Sequence, residues 1–139
     1  MEFIKNKNIV VLDIETTGIK ANTDKIIELY MLKVYNDEVV DEYYSKFNPK
    51  IEIPLFISNL TGIYQWNVDS SPTIEQEIKN IKTFLGNSVV IGHNLKFDLS
   101  FLNYDLINHG LENISNEKID TLKLSRALLR NKVKNHKLS

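Results

Sequence analysis

An unbroken apolar run that ends in two carboxylates constrains this chain more than any other stretch. Residues 9–12 are aliphatic and mostly β-branched, which is the pattern of a strand buried on both faces. Asp13 and Glu15 follow two positions apart, so on a strand their side chains project from the same face. Unpaired carboxylates at the end of a buried strand are costly. We therefore expect either a cation between them or a solvated strand end, and this stretch alone leaves both open.

The composition favours one globular domain. The chain has 139 residues, 42% of them hydrophobic, and a formal net charge of −1, which fits a single core and gives no global sign of a polyanionic partner. It contains no cysteine, so disulfides and thiolate metal sites are excluded. We find no apolar run long enough to cross a membrane and no signal peptide. The cytoplasm is the simplest expected location.

Charge is uneven towards the end of the sequence. From Lys118 onward Asp120 is the only acidic residue, against seven lysines and arginines. This segment either contacts phosphate backbones or is a solvated helix face, and both interpretations stay open.

The order of residue patterns predicts three strands followed by alternating helices and strands. Strand formers at 26–35 and 39–47 flank the turn signal Asn36-Asp37, which predicts a hairpin. The other predicted elements are a helix over 55–60, a helix with Ser71 as N-cap that ends at Gly86, a strand over 88–92, a helix over about 95–109, a strand over 118–120 and a last helix capped by Asp120 or Thr121. This order predicts an α/β fold with a mixed sheet of three antiparallel and two parallel strands, flanked by helices.

A third carboxylate is expected near the first two. Ligands of such sheets bind at the carboxyl ends of the strands, where Asp13, Glu15 and the turn after the strand over 88–92 would meet if these two strands are adjacent. Asp98 lies in the first turn of the next helix, either as a partner of the helix dipole or as a third member of this acidic group. Three acids at one rim repel one another unless cations bind, and oxygen ligands suit Mg²⁺ or Mn²⁺. Two such ions can activate a water and stabilise the leaving oxygen of a phosphodiester.

Two segments carry a family resemblance. DIETTG at residues 13–18 resembles the first motif of the DnaQ-like, DEDDh-type 3′–5′ exonucleases, which include the proofreading exonuclease of bacterial DNA polymerase III. GHNLKFD at 92–98 resembles their second motif. LTGI at 60–63 and IDTL at 119–122 resemble intervening segments. The resemblance implies a ribonuclease-H-like fold and hydrolysis at the 3′ end of single-stranded DNA or RNA, with a polymerase as an expected partner.

The resemblance also implies roles for individual residues. Asp13 would bridge two metal ions, Glu15 would hold the ion on the side of the nucleophile, and Asp98 would help to hold the second. Expected substrate-binding residues are Thr16 and Thr17, through main-chain groups, and His93 and Asn94, which either shape the turn or touch substrate.

The family's third motif, a histidine followed by an aspartate, is not found. His136 is not followed by an acid, so the general base and the fourth metal ligand would be lacking. We therefore expect a single domain over 1–139 that is truncated at its C-terminus, lacks the family's C-terminal helix and is inactive or nearly inactive as a monomer. A homodimer would cover the bared sheet face. The alternatives are an active exonuclease, a domain that binds metal or nucleic acid without cleavage, and a module that docks on a polymerase.

Overall fold

The predicted mixed sheet is present in the computed structural model, which describes residues 5–124 and 126–128. Its two antiparallel pairs, β1 with β2 and β2 with β3, and its two parallel pairs, β1 with β4 and β4 with β5, confirm the predicted fold class. The strands are β1 (Asn8–Thr16), β2 (Ile26–Tyr35), β3 (Glu38–Lys46), β4 (Val89–Gly92) and β5 (Lys118–Asp120), in the order β3-β2-β1-β4-β5.

The hairpin between β2 and β3 forms where the turn signal predicts it. Asn36 and Asp37 both have positive φ angles, of 45° and 69°. Two successive left-handed residues match the right-handed twist of the flanking strands, and asparagine and aspartate tolerate this conformation better than most residues.

The helices lie close to their predicted positions. They are α1 (Leu55–Thr61), α2 (Gln65–Val68), α3 (Ile74–Leu85) and α4 (Leu95–Asn108), and residues 121–124 and 126–128 are also helical. The short α2 was not predicted, because four residues show no periodicity. In the part of the chain that the structure describes, no helix is both long enough and apolar enough to cross a membrane.

The predicted N-cap of α3 is wrong by two residues. Thr73, not Ser71, caps this helix: its hydroxyl accepts from the Gln76 N–H at 3.4 Å, and the Gln76 side chain accepts from the Thr73 N–H at 3.0 Å. The Ser71 N–H instead donates to Val68 O at 3.0 Å. Ser71 therefore belongs to the turn before the helix, and a reciprocal capping box is the stronger start signal.

The first strand is buried on one face only, which corrects the prediction that both faces are buried. Leu12 and Ile14 are 3% and 7% exposed, whereas Val11 is 41% exposed and Asp13 is also exposed. The buried face packs in the main core with side chains of α3 and α4. Alternating burial leaves the carboxylate side chains of β1 on the open face of the sheet.

The main core lies between this buried face and the two long helices. Helix α3 contributes one apolar stripe, and all four of its members are buried: Ile74, Ile78, Ile81 and Leu85. A second, smaller cluster fixes α1 and α2 beside β2, and its members are Ile27, Ile53, Ile57, Ile63 and Val68. The segment that carries α1 and α2 is thus anchored next to the end of β1.

Candidate active site

Parallel pairing of β1 and β4 brings the two motif segments to one edge of the sheet. Val11 pairs with Ile91, so both strands run towards this edge. Gly92 ends β4 at a close contact, because a Cβ atom there would lie 2.9 Å from Leu95 Cδ1 and 3.3 Å from Leu12 O. The absence of a side chain at Gly92 lets the first turn of α4 approach β1.

Asp98 is the buried member of the acidic group. Asp98 is only 4% exposed, and its buried Oδ2 atom has no hydrogen-bond partner among the described residues. Burial raises the pKa of Asp98 to about 7, with a further contribution from the negative charges of Asp13 and Glu15, while hydrogen bonding to the main chain of Ile14 acts in the opposite direction. The structure therefore places Asp98 within the electrostatic reach of both acids of the first motif.

Glu15 has a second acidic neighbour that sequence reasoning missed. Burial raises its pKa, followed by the charges of Asp13 and Glu28. Glu28 lies directly opposite Glu15 in the β1–β2 register, and its carboxylate accepts a hydrogen bond from the Tyr44 hydroxyl at 2.6 Å. No sequence signal places Glu28 here, because the loop between β1 and β2 does not define their register.

A cavity of about 550 Å³ opens beside Glu15. One wall comes from the first motif, through Glu15, Thr16 and Thr17, and the facing wall includes Phe56 and Leu60 of α1. Phe97 lines the cavity and also packs against the main core. The cavity thus combines an acidic edge with an apolar wall.

A second cavity lies on another side of α4 and is less relevant to the acidic group. Its volume is about 460 Å³, and its lining includes Leu95, Leu99 and Lys118. None of Asp13, Glu15 and Asp98 lines it. Of these three acids only Glu15 lines the first cavity, together with the other residues of the first motif, and we therefore assign the candidate site to that cavity.

The loop after the first motif is held by Asp24, which sequence reasoning also missed. Its carboxylate accepts from the Thr17 hydroxyl at 3.2 Å and from the Lys20 N–H at 3.0 Å. A Cβ atom on Gly18 would clash with this carboxylate, so a larger residue there would displace the Asp24 side chain. The Thr17 N–H donates to Lys25 O at 2.8 Å, so this main-chain group is already engaged.

His93 and Asn94 shape a turn and do not line the cavity beside Glu15. His93 Nδ1 lies 3.0 Å from the Thr121 hydroxyl, and Asn94 adopts a left-handed conformation with φ of 61°. The N–H groups of Asn94 and Leu95 donate to the Asp120 carboxylate at 2.9 and 3.1 Å. Both side chains are thus placed at the turn, and contact with substrate stays a prediction.

Asp120 stabilises the starts of two helices. The sequence predicted a cap only for the last helix, which begins at residue 121. Besides the start of α4, its carboxylate accepts from the Leu122 N–H at 3.0 Å. Burial acts to raise the pKa of Asp120, but hydrogen bonds from the main chain lower it overall. Its oxygens are therefore occupied by N–H groups, which argues against a role as a metal ligand. His136 lies outside the described residues.

The donor set suits a hard divalent cation, although its side chains do not converge on one point. Within residues 5–124 and 126–128, no three histidine, cysteine, aspartate or glutamate side chains meet closely enough to hold a metal ion. The candidate donors are nevertheless all carboxylate oxygens, and the buried Asp98 Oδ2 has no partner. A cation would supply that partner and offset both the burial and the acid–acid repulsion that raise the pKa values of Asp98 and Glu15.

Comparisons with known proteins agree with this geometry. The RNase_T exonuclease family profile matches residues 10–139. The DNA polymerase III PolC-type of Clostridium perfringens is 40% identical over 119 residues, which are 86% of this chain and 8% of that protein. The PolC-type polymerase of Oceanobacillus iheyensis is 38% identical over 130 residues, or 94% of this chain and 9% of that protein. The chain thus spans less than a tenth of the length of these relatives.

Solved structures share the fold at low sequence identity. Exonuclease I without ligand has a TM-score of 0.80 and 14% identity, over 90% of this chain and 31% of that one. Escherichia coli exonuclease I in complex with a dA16 oligonucleotide has a TM-score of 0.79 and 14% identity, over 88% of this chain and 29% of that one. The predicted resemblance to the proofreading exonucleases of DNA polymerase III is confirmed by the family match and by the PolC-type relatives. The chain belongs to the RNase_T exonuclease family.

Proposed function

We propose that this domain is a metal-dependent 3′–5′ exonuclease that hydrolyses phosphodiester bonds at single-stranded 3′ ends of DNA. The observation that carries the proposal is the unpartnered, buried carboxylate oxygen of Asp98 in the field of Asp13 and Glu15. A buried carboxylate without a partner is costly unless a ligand compensates it. In a member of an exonuclease family, the ligand that fits this donor set is Mg²⁺ or Mn²⁺.

Each acid has a distinct place in this proposal. Asp13 is exposed at the open face of β1, Glu15 is half-buried in the cavity wall, and Asp98 is buried within the electrostatic reach of both. Together they would hold two ions, which supply a polarised water and stabilise the leaving oxygen. Thr16 and Thr17 form the cavity wall next to Glu15, where they would orient the terminal nucleotide by contact.

The apolar wall of the cavity favours a nucleic-acid substrate whose bases are unpaired. Phe56 and Leu60 are 69% and 80% exposed although both line the cavity. An exposed aromatic ring such as Phe56 can stack on a base, and an aliphatic side chain such as Leu60 can pack against it, most readily when that base is unpaired. Lys20, at the same cavity, provides a cation for a phosphate group. The oligonucleotide complexes of exonuclease I, a protein of the same fold, agree with a single-stranded substrate.

A second candidate function is binding of metal or nucleic acid without cleavage. The sequence contains no aspartate or glutamate after Asp120, so none of residues 121–139 can serve as a fourth carboxylate ligand. The acidic side chains of the described residues also do not converge on one ion. Loss of a metal ligand and of the general base would abolish hydrolysis and leave the cavity intact.

A cleavage assay with matched variants separates the two functions. A 5′-labelled single-stranded DNA is incubated with the chain in Mg²⁺ or Mn²⁺, and an RNA of the same sequence tests the sugar preference. We expect stepwise shortening from the 3′ end that Asp13→Asn abolishes and that Asp41→Asn retains, because Asp41 is exposed on β3, away from the cavity. Binding without shortening supports the second function. Shortening that Asp13→Asn leaves unchanged contradicts the proposed site.

The cellular context is part of the proposal. Because the PolC-type relatives are DNA polymerases and the chain spans only a small part of them, the domain would act beside a polymerase, in DNA replication or repair in the cytoplasm. That residues 1–139 form a single exonuclease-like domain stays a prediction.

A homodimer would use the open face of the sheet. On this face Val11, Tyr30 and Tyr44 are 41%, 37% and 48% exposed, and the two tyrosine rings lie 5.9 Å apart. Light scattering over a wide concentration range should give the mass of two chains, and Tyr44→Glu should reduce it to one. The mass of a single chain at every concentration would contradict the dimer.

A further inference from the structure

Tyr64 and Trp66 form a flat aromatic stack on the surface of the segment that carries α1 and α2. Their ring centroids lie 4.5 Å apart and their planes differ by 11°. The indole ring of Trp66 stacks on the phenol ring of Tyr64, and Trp66 is itself 69% exposed to solvent. We refer to these two residues as the aromatic platform.

The aromatic platform is held in place from several sides. The Tyr64 hydroxyl donates to Asn59 Oδ1 at 2.8 Å, and the Tyr64 N–H donates to Asn67 Oδ1 at 2.8 Å. Ile63 and Val68, on either side of the aromatic platform, are 3% and 0% exposed and anchor the backbone in the smaller core. A ring that is already ordered loses little conformational freedom when a ligand stacks on it.

The aromatic platform adjoins the cavity through α1. Asn59, which accepts a hydrogen bond from the Tyr64 hydroxyl, directly precedes Leu60 in the sequence. Both Leu60 and Phe56 line the cavity. Trp66 belongs to neither core cluster of the described residues, so core packing there does not account for a large aromatic residue at this position. The aromatic platform thus lies next to the helix that forms the apolar wall of the cavity.

We propose that the aromatic platform stacks with a base of single-stranded nucleic acid, upstream of the 3′-terminal nucleotide that the cavity holds. This inference rests on the proposed function. Stacking on an aromatic ring is tolerant of sequence, because every base has a flat face. The neighbours Asn59, Gln65 and Asn67 are polar, so the apolar contact is about one ring wide. That size favours a base over a protein partner, which would need a larger apolar patch.

The natural fluorescence of the chain reports on this contact, because Trp66 is its only tryptophan. The full chain is titrated in Mg²⁺ with single strands that carry uncleavable phosphorothioate linkages at the 3′ end. A dinucleotide fills only the cavity, and a strand of about eight nucleotides also reaches upstream sites, within the range that nucleic-acid-binding folds cover. We expect the longer strand to quench the fluorescence and the dinucleotide to leave it unchanged.

Variants at Trp66 then measure the contribution of the aromatic platform by fluorescence anisotropy of labelled strands. Trp66→Ala should weaken binding of the longer strand about tenfold, or about 1.4 kcal/mol, and leave the dinucleotide unaffected. Trp66→Phe should restore most of the loss, because it keeps a ring that can stack. Tyr35→Ala is the matched control, since Tyr35 is a 39% exposed aromatic residue at the end of β2.

The outcomes distinguish the aromatic platform from the proposed function. If the wild-type chain binds neither strand, both proposals fail. If it binds both strands and Trp66→Ala changes neither affinity, the aromatic platform is not a base-binding site, and contact with a protein partner becomes its alternative role. A loss for both strands, with the fold intact by circular dichroism, also contradicts an upstream position.

Discussion

Replacement of Asp98 by asparagine should stabilise the metal-free protein at alkaline pH and remove its response to Mg²⁺. Burial, together with the charges of Asp13 and Glu15, raises the pKa of Asp98 to about 7, from 3.8 for an aspartate in solution. Because the folded state disfavours the charged form, stability is highest when Asp98 is protonated. It should fall as the pH rises from about 4 to about 7, and above that range the full penalty applies.

The size of this penalty follows from the difference between the pKa of Asp98 in the folded protein and the pKa of an aspartate in solution. They differ by about 3 pH units, and each pH unit corresponds to 1.36 kcal/mol, so the upper bound is about 4 kcal/mol. Local relaxation and water entry reduce it. Asparagine has nearly the same shape and no charge. We therefore expect Asp98→Asn to raise the free energy of unfolding by about 2–4 kcal/mol at pH 8 and to change it little at pH 4.

Urea denaturation at the two pH values in a chelator, and then at pH 8 with Mg²⁺, measures both effects. Mg²⁺ should stabilise the wild-type protein, because a ligand that binds only the folded state raises its stability, and it should stabilise Asp98→Asn much less. Asp105→Asn is the matched control: Asp105 lies on the same helix, is 6% exposed, and burial raises its pKa to about 6. It should gain stability at pH 8 and keep the response to Mg²⁺.

Two results would refute this reasoning. If Asp98→Asn were less stable than the wild-type protein at pH 8, the carboxylate of Asp98 would already be compensated without a metal. If Mg²⁺ stabilised the variant as much as the wild-type protein, the ion would bind elsewhere.

Three further substitutions test contacts that position the site, each by urea denaturation. Asp120→Ala removes a carboxylate that caps two helix starts and should cost about 2 kcal/mol, whereas the exposed Asp41→Ala should cost little; equal losses would contradict the double cap. Gly92→Ala places a methyl group 2.9 Å from Leu95 Cδ1 and should cost about 1–3 kcal/mol, so an unchanged stability would show that α4 can move away from β1. Thr73→Ala should cost about 1 kcal/mol through loss of the α3 cap, and Thr73→Ser should retain most of it.

Local patterns in the sequence predict most of the elements and one strand of the site. The turn residues Asn36 and Asp37 place the hairpin, and the spacing of apolar residues places α3 and α4. These features depend on backbone preference and on periodicity, which neighbouring residues determine. The two-residue separation of Asp13 and Glu15 likewise predicts a shared face, because side chains alternate along a strand.

Long-range pairing decides what local patterns leave open. The β1–β2 register places Glu28 opposite Glu15, and the register of two strands separated by the nine residues 17–25 has no local signal. The smaller core places the aromatic platform next to the cavity, although α2 itself has too few residues to show a pattern.

The sequence by itself determined the fold class, the family and the acidic residue types that the site needs. Only the tertiary structure decided which of these acids is buried, and therefore which carries the electrostatic cost. Asp98 and Asp120 are both aspartates near helix starts, yet Asp120 is satisfied by main-chain N–H groups, while Asp98 Oδ2 has no partner. The difference arises because burial and hydrogen bonding depend on atoms from distant parts of the chain, which no stretch of sequence contains.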